Sequence, residues 1–412
     1  MGITYKKGKN GRKKIILILL ILALELSVFL AGYFAGSINS SKSSAPEPEI
    51  VPSVEEPQIT DSNTAKEKAE KILSGMELDD MVYQMMFVTP ESITGVGTVI
   101  QAGEATKASL AEYPVGGIIY FSENLIDRTQ TAEMIKNTQS YSEIPLFIGV
   151  DEEGGIVSRL GSNSEMGTTK HPPMREIGDT KDSKKAYCVG ETLAKELVEI
   201  GFNVDFAPVA DVIVNESNTE IGTRSFGTDP ELVTEMVKNT LLGMENNGLS
   251  ATLKHFPGHG STVKNSHMGT SESYRTMEEL KACELKPFIE GINQSVDFIM
   301  ISHLTLTNAT EEKLPSSMSK EVITELLKNE LGYKGIVITD ALNMGAIANL
   351  YSSGEAAVKA VEAGNDMILM PIDVKAAHDG IMNAVKEGRI SEERIKESAR
   401  KILILKAEKN LI

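Results

Sequence analysis

The stretch Leu253–Gly260 is Leu-Lys-His-Phe-Pro-Gly-His-Gly, and Lys264–His267 follows it as Lys-Asn-Ser-His. The apolar run Leu249–Leu253 leads into the two titratable side chains and predicts a buried strand. The Pro-Gly break and the Gly/Ser/Thr-rich residues after it predict a loop. A strand that ends in Lys-His and continues into such a loop presents side chains at its end. This stretch therefore predicts a functional site.

The histidines of this stretch have two interpretations. His255 could be a hydrogen-bonded core residue at a strand end, and His259 could cap a turn. However, four of the six histidines in the chain, His255, His259, His267 and His303, lie at or just after predicted strand ends. Titratable groups that converge on one face of a fold mark functional sites, so the pattern favours a site over four unrelated structural roles.

The alternation of the chain from residue 66 onward predicts the fold class. Eight short apolar or β-branched runs are separated by amphipathic stretches of helix length. This pattern favours an α/β fold of the (β/α)8 TIM-like barrel type over an open doubly wound sheet. The glycine fingerprint of a dinucleotide site is absent from the sequence, which also disfavours the open sheet. The predicted strands are Tyr83–Val88, Gly117–Phe121, Leu146–Val150, Val204–Ala207, Ala251–His255, Phe298–Ser302, Ile336–Thr339 and Met367–Met370, and the last helix is predicted at Ser391–Glu408.

The composition limits the partners of the chain. The formal net charge of the 412 residues is −17, and the 35 basic and 57 acidic residues that follow residue 36 give −22. A net charge this negative repels nucleic acid. Nucleic acid is therefore not expected as a partner. The two cysteines, Cys188 and Cys283, lie far apart in predicted helices and form no metal-ligand or disulfide pattern. Buried free thiols are expected, with a bridge between them as the alternative.

The N-terminal residues predict a membrane anchor. Residues 1–14 are polar and basic, and residues 15–36 form a 22-residue apolar run interrupted by one Glu and one Ser. At ~1.5 Å per residue such a helix spans ~33 Å and crosses a hydrocarbon core of ~30 Å. We expect a single-pass signal anchor at the cell membrane, with residues 1–14 as a cytoplasmic tail and the body outside the cell. Cleavage near residue 36, which would give a secreted form, and a buried core helix are the alternatives.

The residues between the predicted anchor and the barrel predict a linker. Residues 37–65 are rich in Ser, Pro and Glu and contain few large apolar side chains. Such a segment buries too little apolar surface to order itself, so we expect a disordered tether. Residues 66–412 are then predicted to form a single domain, the barrel.

Polar side chains follow the predicted strands. This placement is what a barrel requires, because sites in this fold form at the carboxyl ends of the strands. Each side chain could instead be a helix cap or half of a surface ion pair. All of those roles would then have to coincide at one end of one barrel. The residues are Asp151 and Arg159 after strand three, Asp205, Asp211 and Arg224 in and after strand four, Lys254 and His255 in strand five, His303 after strand six and Asp340 after strand seven.

Five motifs in the chain resemble glycoside hydrolase family 3, in its β-N-acetylglucosaminidase branch. The resemblance runs from about Met76 to Lys406, and the motifs are long and specific. The motif at Lys254 indicates the acetylglucosaminidase branch rather than the β-glucosidase branch. The motifs are Asp-Glu-Glu-Gly-Gly from Asp151, Asn-Val-Asp-Phe-Ala-Pro-Val-Ala-Asp-Val from Asn203, Arg-Ser-Phe-Gly from Arg224, Lys-His-Phe-Pro-Gly-His-Gly from Lys254 and Ile-Thr-Asp-Ala-Leu-Asn-Met from Ile338.

The resemblance implies a role for each matching side chain in a retaining mechanism. The aspartate nucleophile of the family falls on Asp340, and its histidine acid/base falls on His267. A histidine departs from the paired carboxylates of most glycosidases. It is nevertheless suited to the role, because it titrates near pH ~6.5 and can both give and take a proton. The implied sugar-binding residues are Asp151 as an acceptor for paired hydroxyls, Lys254 and His255 as donors to hydroxyl oxygens, and Arg159 and Arg224.

Two positions depart from the pattern of the family. Asn265 replaces the aspartate that usually stands two residues before the catalytic histidine. Asn265 can accept a hydrogen bond from the imidazole but carries no charge, so it should stabilise charged His267 less and lower its pKa. Ile156 stands where an arginine is common, which removes one polar support of the pocket.

The resemblance implies an enzyme that removes terminal β-linked GlcNAc from peptidoglycan-derived or related glycans at the outer face of the cell membrane. Two alternatives remain at this point. The uncharged Asn265 is compatible with an amino-sugar-binding pseudoenzyme, and loss of the carboxylate would also let phosphate approach, as in a GlcNAc phosphorylase. The sequence contains no metal-ligand or nucleotide-binding motif, so no cofactor is expected.

Overall fold

The computed structural model describes residues 62–262 and 271–412 and has a sheet of eight parallel strands. The strands are β1 Met86–Val88, β2 Gly117–Ile119, β3 Phe147–Val150, β4 Val204–Asp205, β5 Ser250–Phe256, β6 Phe298–Ile301, β7 Ile336–Thr339 and β8 Ile368–Leu369. From β1 to β7 each strand pairs with the next one in the chain, and β8 pairs with β1. An isolated parallel bridge between Ile338 and Met367 joins β7 to β8 and closes the barrel. The (β/α)8 prediction is confirmed.

The strand boundaries differ from the predicted ones at seven of the eight strands, and only β7 begins and ends as predicted. Tyr83 belongs to the helix Leu78–Gln84 rather than to β1. Two acidic residues in the first turn favour that helix, and a short apolar run does not distinguish a strand from a buried helical turn. β4 ends at Asp205 instead of Ala207. Pro208, which has no backbone N–H for a sheet ladder, follows closely.

Helices connect the strands around the barrel. They are α1 Ser62–Leu73, α2 Leu78–Gln84, α3 Pro90–Thr94, α4 Glu104–Glu112, α5 Arg128–Tyr141, α6 Met174–Asp179, α7 Ser183–Ile200, α8 Pro230–Glu245, α9 Met277–Ala282, α10 Lys286–Asn293, α11 Gly345–Ala348, α12 Ser353–Ala363, α13 Val374–Lys386 and α14 Glu392–Glu408. A π-helix, Glu321–Glu330, precedes β7. Two short ladders lie outside the barrel. They are the antiparallel pair Glu152–Gly154 with Val157–Ser158 and the parallel pair Ser271–Ser273 with Leu304–Leu306.

Aromatic side chains fill the barrel. Phe87 of β1 packs edge-on against Phe206, with ring centroids 5.2 Å apart. Phe147 of β3 packs in the same way against Phe298 of β6, at 5.3 Å. Gly149 of β3 makes room for the first pair, because a Cβ there would lie 2.8 Å from ring carbons of both Phe87 and Phe206. A larger residue at Gly149 would therefore overpack the core, at a cost of about 1–3 kcal/mol.

The C-terminal helix α14 is attached to the amino-terminal end of the barrel through Asp366, the fully buried residue two positions before β8. The carboxylate of Asp366 accepts hydrogen bonds from Lys328 at 3.1 Å, Ser398 at 3.0 Å and Lys401 at 3.2 Å. Burial alone would raise the pKa of Asp366, but the surrounding cations outweigh burial and hold that pKa well below its usual range. One carboxylate thus joins α14, the π-helix and the barrel.

The folded body begins before the predicted boundary. α1 starts at Ser62, and Ala65 is fully buried, so residues 62–65 belong to the body and not to the linker predicted for residues 37–65. The predicted tail, the predicted anchor at residues 15–36 and the rest of the linker lie outside the described residues. Among the helices that the structure does describe, none is long and apolar enough to cross a membrane.

The two cysteines are free, and the expectation that both are buried is wrong. Cys188 is exposed on α7, outside the buried stripe of that helix. Cys283 follows α9 and is partly buried, and burial is the main reason that the pKa of its thiol rises to about 11. The alternative of a bridge between them is also wrong.

Candidate active site

A cavity of about 250 Å³ lies at the carboxyl ends of the barrel strands. The six predicted site residues that fall within the described ranges all line it. They come from β3, β4, β5 and β7 or from the loops that follow these strands, so the barrel topology brings together residues that are far apart in the sequence. They are Asp151, Arg159, Arg224, Lys254, His255 and Asp340. The predicted acid/base His267 and its neighbour Asn265 lie outside the described residues.

The end of β5 presents two consecutive side chains to the cavity. In a regular strand, neighbouring side chains point to opposite faces, so Lys254 and His255 should not both point into the cavity. The pairing of β5 with β6 shifts register between Leu253 and Phe256. Both side chains line the cavity from this irregular end.

Lys254 lies between two carboxylates. Its Nζ is 2.8 Å from Asp151 Oδ1 and 2.6 Å from Glu153 Oε1, and its side chain is 3% exposed. Burial alone would lower the pKa of Lys254, but the two carboxylates outweigh burial and raise that pKa. Lys254 is therefore a charged donor at neutral pH. An ammonium group has three N–H donors, so the two carboxylates leave one for a ligand in the cavity.

Glu153 connects Lys254 to Arg224. The guanidinium of Arg224 donates from Nε and from Nη2 to the two Glu153 oxygens, each at 2.8 Å. Burial alone would raise the pKa of Glu153, but Arg224 and Lys254 outweigh burial and hold that pKa well below its usual range. A bidentate pair fixes the plane of the guanidinium group. Glu153 thus positions two of the predicted sugar-binding cations at once.

Asp211 orients the ring of His255. The Nδ1 atom of His255 lies 2.8 Å from Oδ2 of the buried Asp211. Burial alone would raise the pKa of Asp211, but His255 and His259 outweigh burial and lower it, so this carboxylate accepts and Nδ1 donates. Nε2 of His255 lies 3.4 Å from Arg224 Nη2. The contact with Asp211 thus holds the ring in the cavity wall, and the role of His255 as a donor to sugar hydroxyls stays a prediction.

Asp340 follows β7, which lies across the barrel from β3. Its Oδ1 accepts the backbone N–H of Ala341 at 2.8 Å. Burial alone would raise the pKa of Asp340, but interactions with His303 and His255 and the Ala341 N–H outweigh burial and lower it. Asp340 is therefore an ionised carboxylate at neutral pH, on the far side of the cavity from Asp151.

His303 supports the turn that carries Asp340. Its Nε2 lies 2.9 Å from the carbonyl oxygen of Ala341 and donates to it, and its Nδ1 lies 2.8 Å from the hydroxyl of Ser317. His303 is buried, and burial lowers its pKa, which keeps the ring neutral at pH 7. It does not line the cavity, so its role is to hold the peptide after Asp340.

The loop that carries Arg159 is held by Glu152. The carboxylate of Glu152 accepts the backbone N–H groups of residues 159–161 at 2.7, 2.7 and 3.2 Å. The side chain of Arg159 then lies over the ring of Phe121, 5.4 Å from its centroid, and its Nη2 is 3.6 Å from Asp151 Oδ2. Glu152 thus fixes the backbone from which Arg159 reaches the cavity.

Residues 257–262 continue from β5 along the edge of the cavity. The N–H of His259 donates to Asp211 Oδ1 at 2.6 Å, and the His259 ring lines the cavity, where burial lowers its pKa. Gly260 allows the loop to approach the chain after β4, because a Cβ there would lie 1.8 Å from the Val212 carbonyl oxygen. Asp211 therefore holds both the end of β5 and the backbone at His259.

Glu153 was not predicted as a site residue, and no role was predicted for Asp211. A signal for Glu153 was present, because Asp151 and Glu153 are two residues apart and share a face of an extended chain. Glu152, which lies between them, instead binds the backbone of the following loop. The partner of Asp211 has no local signal, because His255 is 44 residues away.

Two carboxylates of the cavity wall, Asp151 and Glu153, face basic side chains of the protein. Asp151 and Glu153 both contact Lys254, and Glu153 also binds Arg224. Within residues 62–262 and 271–412, no group of three or more His, Cys, Asp or Glu side chains is arranged to hold a metal ion. The ion pairs of Asp151 and Glu153 hold the cationic side chains of Lys254 and Arg224 in place.

Apolar side chains also line the cavity, and they come from strands all around the barrel. The charged and titratable lining residues come from β3, β4, β5 and β7 or from their following loops. The cavity therefore combines polar and apolar contacts for a ligand. The larger apolar residues of the lining are Ile119, Phe121, Val157, Ile221, Met300, Met344, Leu369 and Met370.

Comparison with known proteins places this chain in a family. The model for the glycosyl hydrolase family 3 N terminal domain matches residues 77–405. A β-hexosaminidase A from Pseudoalteromonas piscicida is 32% identical over 335 residues, which cover 73% of this chain and 54% of that protein. A β-hexosaminidase from Nitrosomonas eutropha is 32% identical over 300 residues, covering 71% and 84% of the two chains.

A solved structure gives the same family. The glycoside hydrolase family 3 β-N-acetylglucosaminidase from Paenibacillus sp. FPU-7 superposes with a TM-score of 0.77 at 38% identity and covers 82% of this chain and 63% of that one. This chain therefore spans about half the length of the Pseudoalteromonas relative and less than two thirds of the Paenibacillus protein. The family match covers most of the barrel and the residues of its cavity. This chain belongs to glycosyl hydrolase family 3.

Proposed function

We propose that this chain is a retaining exo-β-N-acetylglucosaminidase that hydrolyses terminal β-linked GlcNAc in peptidoglycan-derived or related glycans. The observation that carries the proposal is an ionised Asp340 on one side of a small cavity, with Asp151, Lys254 and Arg224 on the other side. This arrangement combines a nucleophile with ligands for sugar hydroxyls. The activities named for the relatives, β-hexosaminidase and β-N-acetylglucosaminidase, support the choice of sugar.

In the proposed mechanism Asp340 attacks the anomeric carbon while the bond to the aglycone oxygen breaks, which forms a glycosyl ester. His267, in its charged form, gives a proton to the leaving oxygen. It then takes a proton from the water that hydrolyses the ester and restores Asp340. Lys254 and the two arginines, Arg159 and Arg224, donate to sugar oxygens, and Asp151 accepts from sugar hydroxyls. An amide at position 265 can accept a hydrogen bond from the imidazole of His267, and we expect Asn265 to orient the ring in this way.

Covalent labelling tests the role of Asp340. An activated 2-fluoro sugar should add its mass to the peptide that contains Asp340, because the fluorine slows the second step more than the first. Asp340→Asn should abolish the label and lower turnover by at least about 10³-fold, since the nucleophile is lost. Asp373→Asn, a change at an exposed helix-capping aspartate, is the matched control and should keep the label. A label on another carboxylate would refute the assignment.

The same protein, assayed with a chromogenic β-GlcNAc glycoside, separates the alternatives. Hydrolysis to free GlcNAc that does not depend on phosphate is the expected result. Formation of GlcNAc 1-phosphate only when phosphate is added would identify a phosphorylase instead. Binding of GlcNAc without turnover under both conditions would identify an amino-sugar-binding pseudoenzyme.

Asn265 offers a test of the acid/base. A carboxylate at that position should stabilise charged His267 and raise its pKa. Asn265→Asp should therefore raise turnover of glycosides with poor leaving groups and move the alkaline limb of the pH–rate profile to higher pH. His267→Ala should lose most activity on the same substrates and less on activated phenyl glycosides. Full activity of His267→Ala on a poor leaving group would assign the proton to another residue.

We also propose that residues 15–36 anchor the chain in the cell membrane, with the barrel outside the cell. The proposal is motivated by the basic residues that precede the 22-residue apolar run. Protease added to intact cells without their wall should release a body that starts within residues 37–61. A fully protected body would contradict this topology.

A further inference from the structure

A second cavity, of about 310 Å³, lies outside the barrel sheet, between α7 and residues 171–177. Its volume is within the range of small-molecule sites, ~300–1,000 Å³. Among the described residues that line it, none is acidic, and none also lines the cavity at the strand ends. Its polar lining residues are His171, Lys184, Lys185, Cys188 and Thr192, and it is hereafter called the Cys188 cavity.

One face of α7 places the thiol of Cys188 close to two ammonium groups. Lys184 and Lys185 precede Cys188 by four and three residues, and side chains at these spacings are neighbours on a helix. All three residues are exposed. Within the described part of the chain, neither ammonium group forms an ion pair, whereas Lys195 of the same helix is 2.7 Å from Glu191. Both lysines are therefore available to anionic groups of a ligand.

The other wall of the Cys188 cavity carries a buried polar group. His171 lines the cavity and is 9% exposed, and its Nε2 has no hydrogen-bond partner among residues 62–262 and 271–412. An unpaired buried polar atom is costly, and a hydrogen bond with a ligand removes that cost. Burial also lowers the pKa of His171, so the ring is neutral at pH 7 and the two lysines supply the positive charge of the cavity.

Hydrogen bonds hold the two walls of the Cys188 cavity together. The carbonyl oxygen of His171 accepts the N–H of Gly155 at 3.1 Å. Two residues before His171, Thr169 donates its N–H and its hydroxyl to Glu196 of α7, at 2.9 and 2.8 Å. The segment that leads into α6 is thus attached to α7, and the cavity between them is preformed. Ile177 and Val189 add an apolar surface to it.

We propose that the Cys188 cavity is a site of reversible thiol modification, at which Cys188 forms a mixed disulfide with a small compound that carries carboxylates. The thiolate of Cys188 attacks one sulfur of a small disulfide, so a bond from Sγ to that sulfur forms while the S–S bond of the compound breaks. The other half leaves as a thiolate with the electron pair of the broken bond, and the thiol proton of Cys188 passes to the solvent. Cys188 is oxidised and the released half is reduced, so excess free thiol reverses the step.

The lining of the cavity determines the class of compound. Lys184 and Lys185 bind its carboxylates, His171 offers a hydrogen bond, and the apolar surface contacts its carbon chain. A small thiol-containing peptide has all of these groups. The proposed position of the barrel outside the cell suits this chemistry, because disulfides persist in oxidising surroundings. The inference does not depend on the proposed glycosidase activity, because it concerns a separate cavity.

Oxidised glutathione, a disulfide that carries carboxylates, is the probe for the full-length chain. Peptide mass spectrometry should find one glutathione on Cys188 and none on Cys283. Cys283 is partly buried, and its thiol has a pKa raised to about 11, so it provides little thiolate. Cys188→Ser should remove the label, and a reducing thiol should release it from the wild type.

The role of the lysines is tested by the rate with oxidised glutathione divided by the rate with bis(2-hydroxyethyl) disulfide, which is uncharged. Lys184→Gln together with Lys185→Gln should lower this ratio about fivefold, because two contacts to carboxylates are lost. Lys195→Gln together with Lys238→Gln removes the same charge outside the cavity and should keep the wild-type ratio. Added salt should lower the ratio of the wild type and not that of the first double variant.

His171→Phe keeps a ring without its nitrogens and should lower the same ratio about threefold, because a hydrogen bond to the bound half is lost. The inference is overturned if Cys188 stays unmodified, or if Cys188 and Cys283 react at equal rates. It is also overturned if the variant without Lys184 and Lys185 keeps the wild-type ratio, because Cys188 is then an exposed thiol without a binding site. These two lysines are exposed, so circular dichroism should show an unchanged fold for that variant.

Discussion

Two buried lysines at opposite ends of the barrel have pKa values shifted in opposite directions. Lys254, at the carboxyl end of β5, lies between Asp151 and Glu153, and its pKa is raised. Lys406 of α14 enters the amino-terminal end, where its Nζ is 2.9 Å from Gln84 Oε1 and 5.2 Å from the centroid of the Phe147 ring. Burial lowers the pKa of Lys406 to about 7.

The difference lies in the partners of the two lysines and not in their burial. Two carboxylates offset the desolvation cost of the buried Lys254 ammonium group. The amide oxygen and the aromatic ring near Lys406 offset only part of the same loss. The protein therefore maintains a buried charge at the cavity, where the proposed sugar ligand would need a donor. At the other end of the barrel a buried amine lowers stability without contributing to the cavity.

Among the substitutions that test this contrast, Lys254→Met should have the largest effect on stability and turnover. Lys254→Met keeps a similar volume but leaves Asp151 and Glu153 without the cation between them. Removing one member of a buried ion pair costs about 3 kcal/mol of unfolding free energy. Turnover of a β-GlcNAc glycoside should also fall by about 10²-fold or more, because a charged donor is lost. Urea unfolding and kcat/KM measure the two effects.

A lysine in an exposed ion pair provides the control for Lys254→Met. Lys238 on α8 is 2.9 Å from Glu290, but its side chain is 42% exposed. Lys238→Met should change the unfolding free energy by less than about 1 kcal/mol and leave kcat/KM unchanged. A loss as large as that of Lys254→Met would show that ion pairing alone, and not burial, sets the cost.

Replacing Lys406 should change the unfolding free energy in the opposite direction. Lys406→Met should raise the unfolding free energy at pH 7 by about 2 kcal/mol, because the buried amine no longer has to be desolvated. The folded pKa of about 7 lies below the ordinary value of 10.5, so between these pH values the unfolded chain binds more protons. The stability of the wild type should therefore rise with pH across this window, and Lys406→Met should remove that rise.

Thermal or urea unfolding from pH 6 to pH 10 measures the pH dependence of Lys406. Lys396→Met, a change of a partly exposed lysine on the same helix, is the matched control and should shift the curve by less than about 0.5 kcal/mol at every pH. Parallel curves for the wild type and Lys406→Met would mean that the amine stays charged in the folded state. The contrast with Lys254 would then be lost.

The barrel could be predicted because its strands are apolar runs bounded by polar residues. β7 was predicted at its observed boundaries, Ile336–Thr339, where four consecutive residues are buried. β4 was predicted two residues too long, because an apolar run does not show where regular ladder pairing stops and isolated bridges begin. Periodicity identifies the faces of an element, whereas its ends depend on hydrogen-bond partners from other parts of the chain.

The residues of the candidate site could be predicted from the sequence, but the ion pairs between them could not. Position after a strand was enough to predict that Asp151, Lys254 and Asp340 lie together. The partner of Lys254 in the first of its ion pairs is 103 residues away, and no local pattern indicates which carboxylates face it. The exposure of Cys188 and the burial of Lys406 have the same cause, because both depend on which neighbouring element covers a given helix face.

The smallest expected effect concerns a buried acid without a cationic partner. Asp205 of β4 is fully buried, its Oδ1 accepts the N–H of Glu152 at 2.9 Å, and its Oδ2 has no hydrogen-bond partner among the described residues. Burial raises the pKa of Asp205 well above 3.8. The folded chain therefore binds more protons than the unfolded chain just above pH 3.8, and Asp205 makes the wild type less stable as the pH rises through that window.

Asp205→Asn has the shape of the protonated acid and should change the unfolding free energy at pH 7 by less than about 1 kcal/mol. It should also remove the pH dependence that Asp205 contributes above pH 3.8. Asp211→Asn is the matched control, because Asp211 is equally buried but accepts from His255 and His259. An amide cannot accept on both sides, so this change should cost about 2 kcal/mol. Equal losses in the two variants, measured by urea unfolding, would mean that Asp205 is charged in the folded protein, and that burial without a partner does not decide the protonation state in this barrel.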